Sequence, residues 1–185
     1  MDRKAFGIVS LLEINSDASS GYLWNRVAEA IKPTGYELPA NPHFSWQVAE
    51  DYKVKDVLEE LKAILNGLQP FRVRISGLGI FPGLHPVLYL TVVRNKMLTE
   101  LHSTIWEQCI SYAIKPSPYY APEQWVPHVT IAYNDLTSKK VSIFVKEMAN
   151  QPWDADLVIE NISLAYQNGD DAGISATLQI SSDKL

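Results

Sequence analysis

The chain has 185 residues, 46% of them hydrophobic, and a formal net charge of −5. That length allows one domain, or two small lobes sharing a core large enough to need no staples. The negative balance disfavours a broad duplex-binding surface, which needs clustered Lys and Arg, but leaves room for a small phosphate site.

The run AFGIVSLLEI, residues 5–14, is short, nearly all apolar and bounded by polar residues, and predicts a buried strand. Glu13 closes the run and no small-residue cleavage site follows, so it is not read as a signal peptide. No apolar stretch approaches the ~20 residues of a membrane helix. A soluble, cytoplasmic protein without a membrane partner is expected. SDASSGYLWNRVAEAIK (16–32) predicts a helix: its Ser and Asp cluster suits a cap, and Leu23, Val27, Ala30 and Ile31 recur at helical spacing before Pro33 and Gly35 stop it. HFSWQVAE (43–50) is a strand. KVKDVLEELKAILNGL (53–68) is the clearest helix, with Val57, Leu61, Ile64, Leu65 and Leu68 on one face and Gly67 near its end.

FRVRISGLGIF (71–81) and PVLYLTVV (86–93) are strands joined by a link that holds His85. Arg72, Arg74 and Ser76 alternate with Phe71, Val73 and Ile75, leaving one polar face. NKMLTELHSTIWEQCISYA (95–113) is a helix, and its Cys109, the lone cysteine, permits no internal disulfide and fits a reducing compartment. IKPSPYYAPEQWVP (114–127) shows neither period and is read as a loop rich in Pro and aromatics. HVTIAYN (128–134) is a strand, and SKKVSIFVKEMAN (138–150) a helix begun by Thr137 or Ser138. ADLVIENISLAYQ (155–167) and GISATLQISS (173–182) are strands linked through an NGDD turn. The order β-α-β-α-β-β-α, then β-α-β-β, predicts an α+β chain of two halves, each a few strands with helices on one side.

Two of the four histidines share a pattern: NPHFSWQV at 41–48 and VPHVTIAY at 126–133. Side chains alternate along a strand, so His43, Ser45 and Gln47 face one way and Phe44, Trp46 and Val48 the other. Likewise His128, Thr130 and Ala132 oppose Val129, Ile131 and Tyr133. Each strand would bury an apolar face and present an imidazole and a hydroxyl about 6.6 Å apart, a spacing suited to flanking one tetrahedral anion. Pro42 and Pro127 suit the start of a strand, where a missing N–H costs little. His102 and Thr104 spell a similar pattern inside a helix, where positions i and i+2 point about 200° apart. His102 instead falls with Leu98, Ile105, Trp106 and Cys109 on the apolar face and is read as a packed or boundary histidine. His85 is read as a loop residue.

These paired His-x-Ser/Thr motifs, one in each half of a chain under 200 residues, resemble the two-histidine (2H) phosphoesterase superfamily. That superfamily includes the RNA 2′,3′-cyclic phosphodiesterases once called 2′-5′ RNA ligases and the plant-type cyclic phosphodiesterases. The resemblance implies a single bilobal α+β domain over 1–185, with two antiparallel sheets, helices on the outer faces and a pseudo-twofold axis. It also implies a metal-independent, cofactor-free hydrolase, expected to be a monomer, that opens a cyclic phosphate at an RNA 3′ end or on a small nucleotide. His43 and His128 would be the acid and base, with His128 favoured as base for opening to a 2′-phosphate. Ser45 and Thr130 would bond the non-bridging oxygens. HVTIAY is close to the family's second motif and HFSWQV looser, and no Lys or Arg lies in either. Arg74, with Arg72 and Lys115 as alternatives, is the candidate to balance the phosphate charge. Tyr120, Trp125, Tyr119 and Tyr133 are candidates to contact a base or cover the site.

The chemistry stands beside the resemblance: imidazole titrates near ~6.5, so one ring can take a proton while its partner gives one. A non-catalytic phosphate- or nucleotide-binding module of the same fold is the alternative. A metal hydrolase would need carboxylates or further histidines on those strand faces, and none sits there. Ligation lacks a lysine motif for an adenylylated intermediate.

Overall fold

The structure is a computed structural model that describes residues 4–12, 18–39, 41–133, 136–149, 154–169 and 171–180, with the backbone alone at 18–20. In chain order the elements are β1 (Lys4–Leu11), α1 (Ala18–Ile31), β2 (His43–Tyr52), α2 (Val54–Leu65), β3 (Phe71–Phe81), β4 (Val87–Val92), α3 (Lys96–Cys109), β5 (Ala113–Pro116), β6 (His128–Ala132), α4 (Ser138–Met148), β7 (Ala155–Ile159), β8 (Asn161–Asn168) and β9 (Asp171–Gln179). Asn95 caps α3, its side chain accepting from the Leu98 N–H at 2.8 Å. Thr137 caps α4 through Lys140 N–H at 3.3 Å. Gly67, at φ 78°, follows α2, and Gly169, at φ 62°, turns β8 into β9. The cap expected from Ser16 and Asp17 lies outside the described residues. Among those residues no helix is long and apolar enough to cross a membrane.

All strand pairings are antiparallel and run β7-β3-β4-β6-β2-β1-β8-β9, with β5 added against β2. The sheet therefore has two wings, β7-β3-β4-β6 and β2-β1-β8-β9. They meet where β2 and β6 pair through Phe44 and Val129. This joins into one hydrogen-bonded sheet what the resemblance implied as two. Helix α1 packs on β7 and α4, while α3 packs on α2 and β2. One apolar core runs through both wings, from Ile8, Phe44 and Trp46 to Ile75, Leu90 and Ile159.

Three expectations change. The halves are interleaved along the chain, not consecutive: β1 and β2 belong to one wing, β3 and β4 to the other, and β8 and β9 return to the first. The segment 155–167, read as one strand, is two. β7 pairs with β3 and β8 with β1, so the run crosses between wings at Glu160. Apolar residues flank the break closely on both sides, Leu157 to Ile159 before it and Ile162 and Leu164 after it, so the pattern reads as one strand. Asn161 secures the crossing: its side chain accepts from Leu11 N–H and donates to Leu11 C=O, both at 2.9 Å, like one further rung of the ladder. Finally, the segment 114–127 is not all loop, since β5 pairs with β2 and a short 3₁₀ turn follows at Pro118–Tyr120.

Candidate active site

His43 and His128 open their strands side by side. Antiparallel register pairs Phe44 with Val129, both buried in the core. Carried one residue either way, that register sets His43 across from Thr130 and His128 across from Ser45. The two histidine positions become diagonal neighbours on the paired strands, a separation of about 7–8 Å in ideal antiparallel geometry. Both line a cavity of about 700 Å³.

The rings are held in the same way. Nδ1 of His43 lies 2.9 Å from Asn41 O, and Nδ1 of His128 lies 2.7 Å from Val126 O. A carbonyl only accepts, so in each neutral ring Nδ1 carries the hydrogen and Nε2 is left as the basic atom. In both cases the accepting residue is two positions back, across Pro42 or Pro127. Proline's fixed φ near about −65° favours the bend that returns that carbonyl to the ring. The repeated proline thus has a use beyond starting a strand, which the sequence reading missed. His128 is also wedged against the edge of Phe81 (ring centroids 5.0 Å apart, 86°) and against Tyr89 (5.2 Å, 61°). Burial holds its pKa below the usual histidine value and the nearby His43 charge lowers it further, while the Val126 carbonyl opposes both. It is therefore neutral at pH 7.

Thr130 lines the cavity, and among the described residues no hydrogen bond engages its hydroxyl. Ser45 does not line it. The segment after β5 folds over β2, and Ser45, only 9% exposed, meets the side chain of Tyr120. Strand β2 is thus covered on both faces near the site, where the alternation predicted one open face. Gln47, also on that face, is fully buried and accepts from the Tyr52 hydroxyl at 3.0 Å.

Tyr120, Trp125 and Tyr133 all line the cavity. Trp125 is 2% exposed and forms its floor. Its indole N–H donates to Ser45 O at 3.1 Å, its ring stacks on His102 (centroids 3.7 Å apart, 10°), and Arg94 lies over it at 5.6 Å. Arg94 also donates to the carbonyls of Pro122 and Trp125. Tyr120 is half-buried, and burial raises its pKa. Tyr133 was placed by alternation on the face away from His128. It reaches the cavity because β6 ends at Ala132. There Tyr36 clamps the chain, donating to Tyr133 O and accepting from Tyr133 N–H at 3.0 Å. Arg74 is a correction: it is not in the cavity wall but 3.4 Å from Asp154, on the sheet face that carries Thr91 and His128 but toward the other end of β3 from Phe81. Lys115, at φ 50°, pairs with Glu50 at 2.8 Å and is also absent from the lining.

Sequence reading also missed Pro39, Phe81, Pro82, Val87, Gln124 and Gln167, all in the wall. Gly79 carried the one available signal. A Cβ there would fall 2.3 Å from the Tyr89 ring, so the glycine makes room for the aromatic that packs against His128. Among the described residues no three of His, Cys, Asp and Glu gather as a metal-holding group.

A family model described as the 2′-5′ RNA ligase superfamily matches residues 17–171. The chain belongs to that superfamily. Two proteins of Bacillus cereus, from strains B4264 and ATCC 14579, named as phosphoesterases by inference, are each 29% identical over 97 residues, 49% of this chain and 50% of theirs. The chain spans about half the length of these curated relatives. Among solved structures, Usb1 of Kluyveromyces marxianus superposes with a TM-score of 0.57 at 12% identity, covering 96% of this chain and 98% of that one. The same protein with uridine monophosphate gives 0.54 with the same coverage. At that identity the likeness is one of fold, and it is the 2H phosphoesterase fold that this superfamily member shares.

Proposed function

We propose that the protein is a phosphodiesterase that hydrolyses a cyclic phosphate, a 2′,3′-cyclic phosphate at an RNA end or on a small nucleotide. The observation that carries this reading is the pair of histidines on adjacent strands, each with Nδ1 tied to a carbonyl and both facing one cavity. His128, neutral at pH 7, takes a proton from water through Nε2 as the water oxygen attacks phosphorus. The bond from phosphorus to one ribose oxygen breaks, and His43 gives that oxygen a proton. Thr130 donates to a non-bridging oxygen, where charge collects. Ser45 reaches the phosphate only if Tyr120 shifts. Each proton has a side chain to move it, so the step runs without a metal. The uridine monophosphate held by the structural neighbour supports a nucleotide as ligand.

The test is hydrolysis of a 2′,3′-cyclic nucleotide in the presence of a strong chelator, with the product phosphate located by phosphorus NMR. The His128→Ala and His43→Ala proteins should each lose ~10²–10⁴-fold in kcat. Equal turnover by wild type and His128→Ala would refute the assignment. Binding without turnover by wild type would make the protein a nucleotide-binding module instead.

A further inference from the structure

Resting on the phosphodiesterase reading, we infer that the substrate is a small cyclic phosphodiester with one negative charge and one flat ring, the class of a nucleoside 2′,3′-cyclic monophosphate, and not the cyclic end of an RNA strand. The observation is the charge of the wall. Of the cavity's lining residues, among those described, none is Lys, Arg, Asp or Glu. All but Arg3 and Lys184 of the 16 Lys and Arg lie among the described residues, and none of those described lines the cavity. Lys4 pairs with Asp51, Arg74 with Asp154 and Lys115 with Glu50. Arg94 touches the cavity's loop from behind and is committed to Thr99 and to two backbone carbonyls.

A single-stranded RNA brings one further negative charge with each nucleotide, and proteins that track such a backbone do so along a cationic groove. This cavity offers instead aromatic and proline faces. Phe81, Pro82 and Tyr119 stand in the wall, and Tyr119 is 75% exposed, its ring free to cover a flat partner. Gln124 and Gln167 add amide groups able to meet the polar edge of a base. One phosphate between two imidazoles and one ring between aromatic faces use what the wall provides, within about 700 Å³.

The experiment compares kcat/KM for a 2′,3′-cyclic mononucleotide with that for a five-nucleotide RNA ending in the same cyclic phosphate, at 50 and 200 mM salt. The mononucleotide is expected to be hydrolysed at least as well as the oligomer, with less than a threefold change between the two salts. A groove making four phosphate contacts to single-stranded RNA would instead lose about 50-fold over that range. Tyr119→Ala should raise KM for the mononucleotide about tenfold or more and leave kcat within threefold. A tenfold preference for the oligomer with steep salt dependence would overturn the inference and leave the phosphodiesterase reading intact. Hydrolysis of neither substrate would overturn both.

Discussion

The histidine that the cavity does not use offers the sharpest physical test. His102 is fully buried in α3 against the Trp125 ring, and neither ring nitrogen has a hydrogen-bond partner among the described residues. Burial pushes its pKa down to about 4, against the nearby Trp46 and Tyr120 carbonyls, which raise it, and with the Arg94 charge, which lowers it further. An unfolded chain would take up that proton near ~6.5. The folded protein refuses it until the pH reaches about 4. His102 therefore favours the folded state fully above pH ~6.5, and this stability is lost as the pH falls from there toward about 4. Between pH 7.5 and 5 the loss is about 2 kcal/mol, which for a chain of this length lowers Tm by about 5 °C. His102→Phe keeps a flat ring under Trp125 and removes the titration. Whatever it does to packing is the same at both pH values. Tm measured at pH 7.5 and pH 5 should then fall less in the variant, by about 5 °C. An equal fall in both proteins would refute the account of a neutral, buried His102.

Gly79→Ala should lower stability by about 1–3 kcal/mol, because its new methyl meets the Tyr89 ring at 2.3 Å; in a Tyr89→Ala background the same change should be close to neutral, and a thermal-melt double-mutant cycle reads the difference. Arg94→Ala removes the donor to Pro122 and Trp125 carbonyls and should lower stability by about 1–2 kcal/mol while raising KM for the cyclic mononucleotide, checked by denaturant titration and initial rates. With His128 acting as base, kcat/KM should climb with pH through a midpoint below the ordinary histidine value, since burial favours the neutral ring; a pH–rate profile locates that limb.

Much of this architecture was legible because it rests on local periodicity. Val57, Leu61 and Leu65 announced α2, and the paired motifs announced two strands that meet. His102 read correctly as packed, because helical geometry separates it from Thr104 whatever the tertiary context. Long-range covering was not legible. Nothing in HFSWQV says that Tyr120 and Trp125, some 80 residues later, will lie over Ser45. Arg74 was misjudged along the strand and not across it: alternation put it on the face that carries Ser76, Thr91 and His128, but the cavity lies toward the Phe81 end of β3. Tyr133, a candidate contact, does line the cavity, although alternation faced it away from His128: alternation fails once a strand ends, and β6 ends one residue before it.

The crossing at Glu160 has a consequence for synthesis. A nascent chain that has emerged only as far as α4 has made β1 and β3 but neither of the strands that pair with their outer sides. Both wings then expose a row of unpaired backbone groups, the kind of edge that recruits stray strands. The short run from β7 through β8 closes two such edges, so this protein should depend on chaperone holding until that run has emerged, and termination before it should yield aggregates in place of a half-folded intermediate.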